Sequence, residues 1–503
     1  MQDLSQLREI DAEVFHLERA AALLSWDQET YMPKMGIEGR SEQIAALETL
    51  VHQKATSDEV GRLLEAAGAS ESASPGSFEL SSFEGAFLRA WSRRYYRQKK
   101  IPHKLVGRLA KEASKAQAIW SAAKEANEFP MFAPSLELVV ELVREMVEHI
   151  GYTDNPYDAL LEGYEPESSS AEIAGIFSAL ADRLSPIVRA IGEAEKPDVS
   201  FLGRSFSIGD QEKFGRSVIA EIGFPADAGR LDVSSHPFAT SIGTRDVRLT
   251  TRYSTDHFQT SLFGSMHEAG HGLYELGFDD TIAGTILANG TSLGIHESQS
   301  RSWENLIGRS RAFWIRYLPR LSDVFPSQLQ GVSVDQFYSA INTVESSHIR
   351  VEADEVTYSL HIILRFNLEM RIIAGELAIG DLPDAWRAES ARLLGIEPPS
   401  DSLGVLQDIH WSMGAFGYFP TYALGNLYGA QFDAAMRSDL KDVDRLIEAG
   451  EFGALLTWQR EHIHKHGSAK TAREICQSVS GEGLNPAYFA DYVERKYSAL
   501  YAL

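Results

Sequence analysis

Apolar positions recur at helical spacing along most of this chain, and strand-like alternation is confined to one short region. From Leu4 to about Leu64 apolar residues return every three or four positions, interrupted at Tyr31-Met-Pro33, the pattern of helices broken by a proline turn. Three helical runs are expected between Phe83 and Ile150, one of them broken at Glu128-Phe-Pro130 and Ala133-Pro134. Ser168 to Glu172 reads as a helix start, and the helix runs to Glu193. Ala67 to Ser82, rich in Ser, Gly and Ala, is the expected mobile loop. Strand character appears only between about Val199 and Tyr253, at Phe206 to Ile208, Leu231 to Ser234 and Val247 to Thr251, with Gly243 fitting a hairpin before the last. A small antiparallel sheet is the expected result. Helical spacing then resumes to Leu503 without repeats, heptads or a dividing linker. The expectation is a mainly α chain, residues 1–503 as a single domain, whose N-terminal layer (about 1–195) is able to shift over the remainder.

One helix carries the chemistry. Phe258, Leu262, Phe263, Met266, Leu273 and Tyr274 form its apolar stripe; Ser254 to Asp256 can cap its start and Gly277 can end it. On it, His267 and His271 stand one turn apart on one face, so both imidazoles can reach a single ion. Glu268 lies about 100° around the helix from His267, near such an ion but not aimed at it, where a general base would hold a water. Glu297 follows beyond Gly277, Gly284, Gly290 and Gly294, which suffice to end one helix and begin another. Two His and one Glu with an open fourth position form a catalytic zinc set. His296 is adjacent to Glu297 and diverges by about 100°, so a supporting role fits it better than ligation. The sequence does not identify the outer partners of the histidines; Asp246 and Asp408 are guesses.

The chain also resembles the carboxypeptidase Taq family of metallocarboxypeptidases, from Ser25-Trp-Asp-Gln-Glu-Thr-Tyr31 almost to its C-terminus. The likeness rests on His236-Pro-Phe238, Asp246-Val-Arg248-Leu-Thr250, the His267 to His271 motif with His296-Glu-Ser-Gln299, Ile349-Arg350-Val-Glu-Ala-Asp354, and Gly404-Val-Leu-Gln407-Asp408-Ile-His410-Trp411. It implies a helical fold with a deep active-site groove, removal of residues from peptide C-termini with broad specificity, and a homodimer. It also implies Zn²⁺ at His267, His271 and Glu297, one ion per chain, with Co²⁺ or another divalent ion as alternatives. Glu268 is then the catalytic base, and His410, Tyr418 and Tyr422 are candidate donors to the oxyanion. Arg350 is the candidate anchor for the substrate carboxylate, expected on a helix, with His236, Arg248 and Gln407 as further substrate-binding candidates and Arg301 in reserve. On the residues alone, an Arg350–Asp354 pair on an exposed helix face remains open. So do two other functions, a zinc endo-oligopeptidase and a non-catalytic zinc-stabilised peptide-binding scaffold.

Composition narrows the partners. Lys+Arg number 47 against 71 Asp+Glu, a net charge of −24, which argues against nucleic acid or an anionic membrane. Cys476 is the only cysteine, so no intrachain disulfide forms, and Met1 to Glu18 has no apolar signal core; a cytoplasmic location is the simple expectation. Ile409 to Phe432 contains no charged residue, yet Gly414, Gly417, Pro420, Gly425 and Gly429 mark it as buried lining rather than a membrane span. His462, His464 and His466 form a second cluster without an acidic third ligand, and are expected to be a surface feature.

Overall fold

The computed structural model describes residues 4–71 and 78–503. The loop expected at Ala67 to Ser82 therefore falls partly outside the described residues. The first helix, Ser5–Thr30, stops at Tyr31 and is separated by Pro33 and a short 3-10 turn from the next, Ile37–Ala55. Phe83–Lys100, His103–Ala126 and Phe129–Ile150 follow. Pro130 sits in a first turn, where its missing N–H has no helical partner to lose, whereas Pro134 is carried inside the same helix. Ser169 caps Ser170–Glu193 by accepting a hydrogen bond from the Glu172 N–H.

Three strands form the sheet: β1 (Gly229–Val233), β2 (Ala239–Gly243) and β3 (Asp246–Thr251), in the order β1-β3-β2. β2 and β3 make the hairpin turned just past Gly243, but β1 pairs with β3 in parallel, so the sheet is mixed rather than wholly antiparallel. β3 lies between the other two, and a chain that runs up, down and up must leave β1 and β3 pointing the same way. Phe206 to Ile208 is not a strand. Phe206 is buried between Phe258 and Phe325, and Ile208 opens the helix Ile208–Glu221; a buried residue beside an exposed one at a helix start imitates alternation.

Leu231, Val247 and Leu249 are buried, the last two against the metal helix, Phe258–Glu275. Gly272 permits the contact, since a Cβ there would meet Phe224 at 2.8 Å and Leu249 at 3.0 Å. Phe258, Leu262, Phe263, Met266, Leu273 and Tyr274 are all buried, as the spacing predicts. The start of the helix differs: no side chain caps it, and the Ser254 hydroxyl instead accepts from the Asp256 N–H in the turn before it. Past its end, Gly277 leaves room for the His464 ring, 2.6 Å from where a Cβ would stand.

The glutamate helix, Leu293–Arg301, is capped by Ser292 and continues into a π-helical stretch, Ser302–Ile307. It is gripped from two sides. Against the metal helix, a Cβ on Gly270 would stand 2.6 Å from the Gln299 carbonyl oxygen. Against the helix Pro420–Leu440, a Cβ on Gly425 would stand 2.4 Å from Glu297 Cγ. That last helix begins in the charge-free segment, where it is mostly buried, and runs on past Phe432 into Asp433 and Arg437; no helix among the described residues is long and apolar enough to cross a membrane. A separate apolar cluster joins Leu7, Val14, Phe87 and Trp91 to Ile282 and Leu287 of the loop between the metal and glutamate helices. The His462 to His466 cluster does not share one helix: its helix ends at His462, and His464 is fully buried with Nε2 2.8 Å from Gln299 Oε1.

Gly270→Ala tests the close crossing of the metal and glutamate helices. Because the obstacle is backbone rather than a movable side chain, overpacking should cost about 1–3 kcal/mol. A thermal midpoint equal to the parent's would contradict the crossing.

Candidate metal site and the charged pocket beside it

His267 and His271 project from the metal helix with ring centroids 4.8 Å apart, nearly perpendicular to one another. Glu297 comes from the glutamate helix, with Oε2 3.5 Å from His267 Nε2 and 3.4 Å from His271 Nε2. One donor atom from each residue falls within 4.8 Å of the others, and this is the only such group of three among the described residues. The sequence spacing thus brings all three expected ligands together.

The donors are prepared from behind. His267 Nδ1 lies 2.8 Å from Glu304 Oε2, an acceptor that keeps the proton on Nδ1 and turns Nε2 toward Glu297. His271 Nδ1 is 3.1 Å from the His296 carbonyl oxygen, while His296 Nε2 is 2.9 Å from Glu275 Oε1. His296 therefore supports the site. Arg301 donates to Glu297 Oε1 at 2.8 Å and to Glu304 Oε2 at 3.1 Å, leaving Glu297 Oε2 for the histidines. Burial opposes ionisation of Glu297 and Glu304, but Arg301 and the neighbouring histidines, with Arg309 at Glu304, together outweigh it, holding Glu304 down to about 2 and Glu297 lower still. Burial and the adjoining His296 push His271 down to about 3, keeping its imidazole neutral. Burial would also lower His267, yet Glu297 and Glu304 lift it to about 9. Negative surroundings that favour a proton there favour a cation generally. Two imidazole nitrogens and one carboxylate oxygen, all oriented, fit a divalent ion of the zinc type.

Glu268, 7 % exposed, sits between the histidines in sequence and beside them in space. Burial, then repulsion from Glu297 and Glu304, pushes its carboxyl up to about 7, despite the opposing pull of His267.

The expected anchor is held differently from the helix foreseen for it. Arg350 lies on a 3-10 turn, Arg350–Glu352, ahead of the helix Glu355–Ile373. The Arg350–Asp354 pair does not form: Asp354 caps that helix through the Val356 and Thr357 N–H groups. Arg350 instead is 5 % exposed, and its Nε and Nη2 donate to Asp408 Oδ1 at 3.0 and 2.8 Å. Its Nη1 donates to the Tyr358 hydroxyl at 3.1 Å, and its backbone N–H to Gln407 Oε1 at 2.9 Å. Arg365, completely buried, occupies the other carboxylate oxygen of Asp408 at 2.6 Å. Asp408 therefore partners two arginines and is not a partner of the histidines; Asp246 is likewise engaged by Arg248.

Around this pocket lie His410, on the turn His410–Met413, with Tyr418 and Tyr422. His410 Nε2 is 3.5 Å from the Tyr422 hydroxyl, and Arg350 stacks 5.2 Å from the Tyr422 ring centroid. Burial pushes both tyrosines up, and the Glu297 carboxylate adds to it. Tyr358 joins the two sites, since Arg301 stacks on its ring at 4.6 Å while its hydroxyl accepts from Arg350. His236 is exposed on the loop between β1 and β2, and Arg248 is paired with Asp246 and stacked on Trp26 at 4.7 Å. Neither contacts the residues of the metal set or the arginine pocket. Glu304, Tyr358 and Arg365 were missed by sequence reasoning. A signal existed: Glu297, Arg301 and Glu304 repeat at i, i+4, i+7, and Tyr358, Arg365 and Glu369 share one face of the helix Glu355–Ile373.

Comparison with known proteins agrees with this geometry. The model of the carboxypeptidase Taq (M32) metallopeptidase family matches residues 6–497. Thermostable carboxypeptidase 1 of Thermus thermophilus is 42% identical over 98% of each chain, and carboxypeptidase 1 of Bacillus subtilis is 39% identical over 97% of each. The crystal structure of an M32 carboxypeptidase from Deinococcus radiodurans superimposes with a TM-score of 0.95 at 36% identity, covering 99% of both chains.

Glu304→Gln tests the support behind His267. It should lower divalent-metal affinity by about 10- to 100-fold while the chain stays folded. Parent-like retention of metal through dialysis against a graded chelator would remove Glu304 from the site.

Proposed function

The chain belongs to the carboxypeptidase Taq (M32) family and is a metallocarboxypeptidase, and from that premise we propose a zinc enzyme that releases single residues of varied type from peptide C-termini. His267, His271 and Glu297 would hold one ion per chain. When bound, zinc supplies a Lewis acid for the scissile carbonyl and acidifies the attacking water. Glu268 takes a proton from that water and delivers it to the departing amine nitrogen, a task suited to a buried carboxyl pushed up to about 7. Tyr422, with His410 behind it and Tyr418 beside it, donates to the oxyanion; burial keeps both phenols protonated.

The observation that carries exopeptidase action is the surplus cation. Arg350 and Arg365 share the single carboxylate of Asp408, while His410 is pushed down to about 4 by burial and stays neutral. A guanidinium has five N–H donors, and three of those on Arg350 are engaged. One N–H is left on each Nη, enough for two hydrogen bonds to an incoming carboxylate. A peptide's free C-terminus supplies the missing negative charge and an internal amide does not. An endopeptidase would have no use for such a pocket.

Incubating the metal-loaded protein with a free-acid peptide and its C-terminal amide, and reading products by mass, tests the proposal. Single-residue ladders from the free acid alone are expected; internal cuts, or no cleavage, would refute it. Arg350→Ala should cost about 2–5 kcal/mol in kcat/KM on the free acid, the loss of a buried charge partner, with little further loss on the amide. Normal turnover of the free acid by this variant would move the anchor elsewhere. Glu268→Gln should keep metal and peptide binding while kcat drops by about 10² or more; turnover within a few-fold of the parent would exclude Glu268 as the base.

A further inference from the structure

The segment from Trp411 to Gly417 separates His410 from Tyr418, and its backbone bonds are local turns, Gly414 N–H to the Trp411 carbonyl, Ala415 N–H to that of His410 and Phe416 N–H to that of Gly414. It consists of the end of the turn His410–Met413 and two glycines at positive φ, Gly414 at 73° and Gly417 at 87°. Trp411 and Phe416 are buried and stack on each other, and one side chain from outside ties the two ends together. Glu369 is completely buried on the helix Glu355–Ile373, one turn beyond Arg365. Its Oε1 accepts from Trp411 Nε1 at 2.7 Å; its Oε2 accepts from the Gly417 N–H at 3.1 Å and from the Tyr157 hydroxyl at 2.6 Å. The same helix therefore holds Asp408 through Arg365 and both ends of the following loop through Glu369. Gly417 is also packed from beneath, because a Cβ there would stand 3.0 Å from Leu160.

Among the described residues no cation makes an ion pair with the Glu369 carboxyl; hydrogen bonds satisfy it, with a weaker electrostatic pull from Arg365. An unpaired buried acid is costly, and an apolar residue of similar volume would serve mere packing at least as well. What an acid provides, and an apolar residue cannot, is two acceptor atoms rigidly spaced, one for each end of the loop. We propose that Glu369 is a positioning residue: by clasping Trp411 and Gly417 it sets the spacing of His410 and Tyr418, and through them the aim of the Tyr422 hydroxyl. The inference rests on the reading of these residues as oxyanion donors.

Glutamine at this site keeps the shape but replaces one acceptor oxygen with an NH₂ donor. If the NH₂ faces Trp411, two N–H groups oppose each other. If it faces Gly417, the Tyr157 hydroxyl can rotate to accept, but the Gly417 N–H is orphaned. Either orientation frees one end of the loop. Glu369→Gln should therefore reduce kcat by about 10- to 100-fold, the effect of a small misplacement of catalytic groups. KM for a free-acid peptide should stay within about threefold, and metal content should match the parent's. Tyr157→Phe removes one donor and should produce a smaller fall in kcat, with the double variant no slower than Glu369→Gln alone, since both act through one contact. If Glu369→Gln does not fold, Tyr157→Phe and Trp411→Phe carry the test, each expected to lower kcat with KM unchanged. The role is overturned if folded Glu369→Gln keeps kcat within about twofold of the parent, if its loss lies in KM, or if the double variant's losses add. It is overturned equally if Tyr157→Phe and Trp411→Phe both turn over normally. Tyr422→Phe run in parallel separates the two levels. A parent-like kcat there refutes the oxyanion reading itself, whereas a lowered kcat there with normal Glu369→Gln refutes only Glu369.

Discussion

A carboxylate taken out of water must be supplied with cations or hydrogen-bond donors, and this requirement shapes the centre of the molecule more than any other. Glu297 and Glu304 are satisfied by Arg301, Arg301 stacks on Tyr358, Tyr358 receives Arg350, and Arg350 and Arg365 converge on Asp408. The two sites are thus one continuous set of buried polar contacts. Removing Asp408 would leave both arginines without their carboxylate in low dielectric, a loss of about 3–5 kcal/mol. The metal helix, the glutamate helix and the helix Glu355–Ile373 are consequently fixed relative to one another by charge as well as by packing. Their glycines complete the arrangement: Gly270 and Gly425 bring backbones close enough for Glu297 to reach both histidines.

Much of this was legible in the sequence, and the legible part was local. The spacing of His267 and His271 and the apolar stripe of their helix depend on residues within one or two turns, where helical geometry alone fixes direction. Glu297 was found because its glycine-rich approach permits only a turn and a new helix. The rest depended on contacts between segments far apart. That Asp408 serves two arginines rather than a histidine follows from how residues 350, 365 and 408 meet, which no periodicity encodes. Arg350 was expected on a helix, with Asp354 one turn on. It sits on a 3-10 turn because Asp354 caps the following helix and so ends any continuation through it. β1 was located correctly, but its partner and direction are properties of the sheet, not of the strand.

The arrangement also explains why the anchor belongs inside the protein. A surface arginine is hydrated, screened and worth little to an exposed carboxylate, on the order of 0–1 kcal/mol. Arg350 has already been stripped of water by Tyr358, Phe419 and Tyr422, and its position is set by Asp408 and Gln407. A carboxylate arriving there meets a donor that loses no further solvent and little conformational freedom. One aspartate for two arginines leaves the pocket with surplus positive charge, so under the proposed function a charged chain end would be preferred to an amide by electrostatics rather than by shape. On the proposed reading, charge selection would leave the neighbouring side chain unread, so many different terminal residues would be accepted.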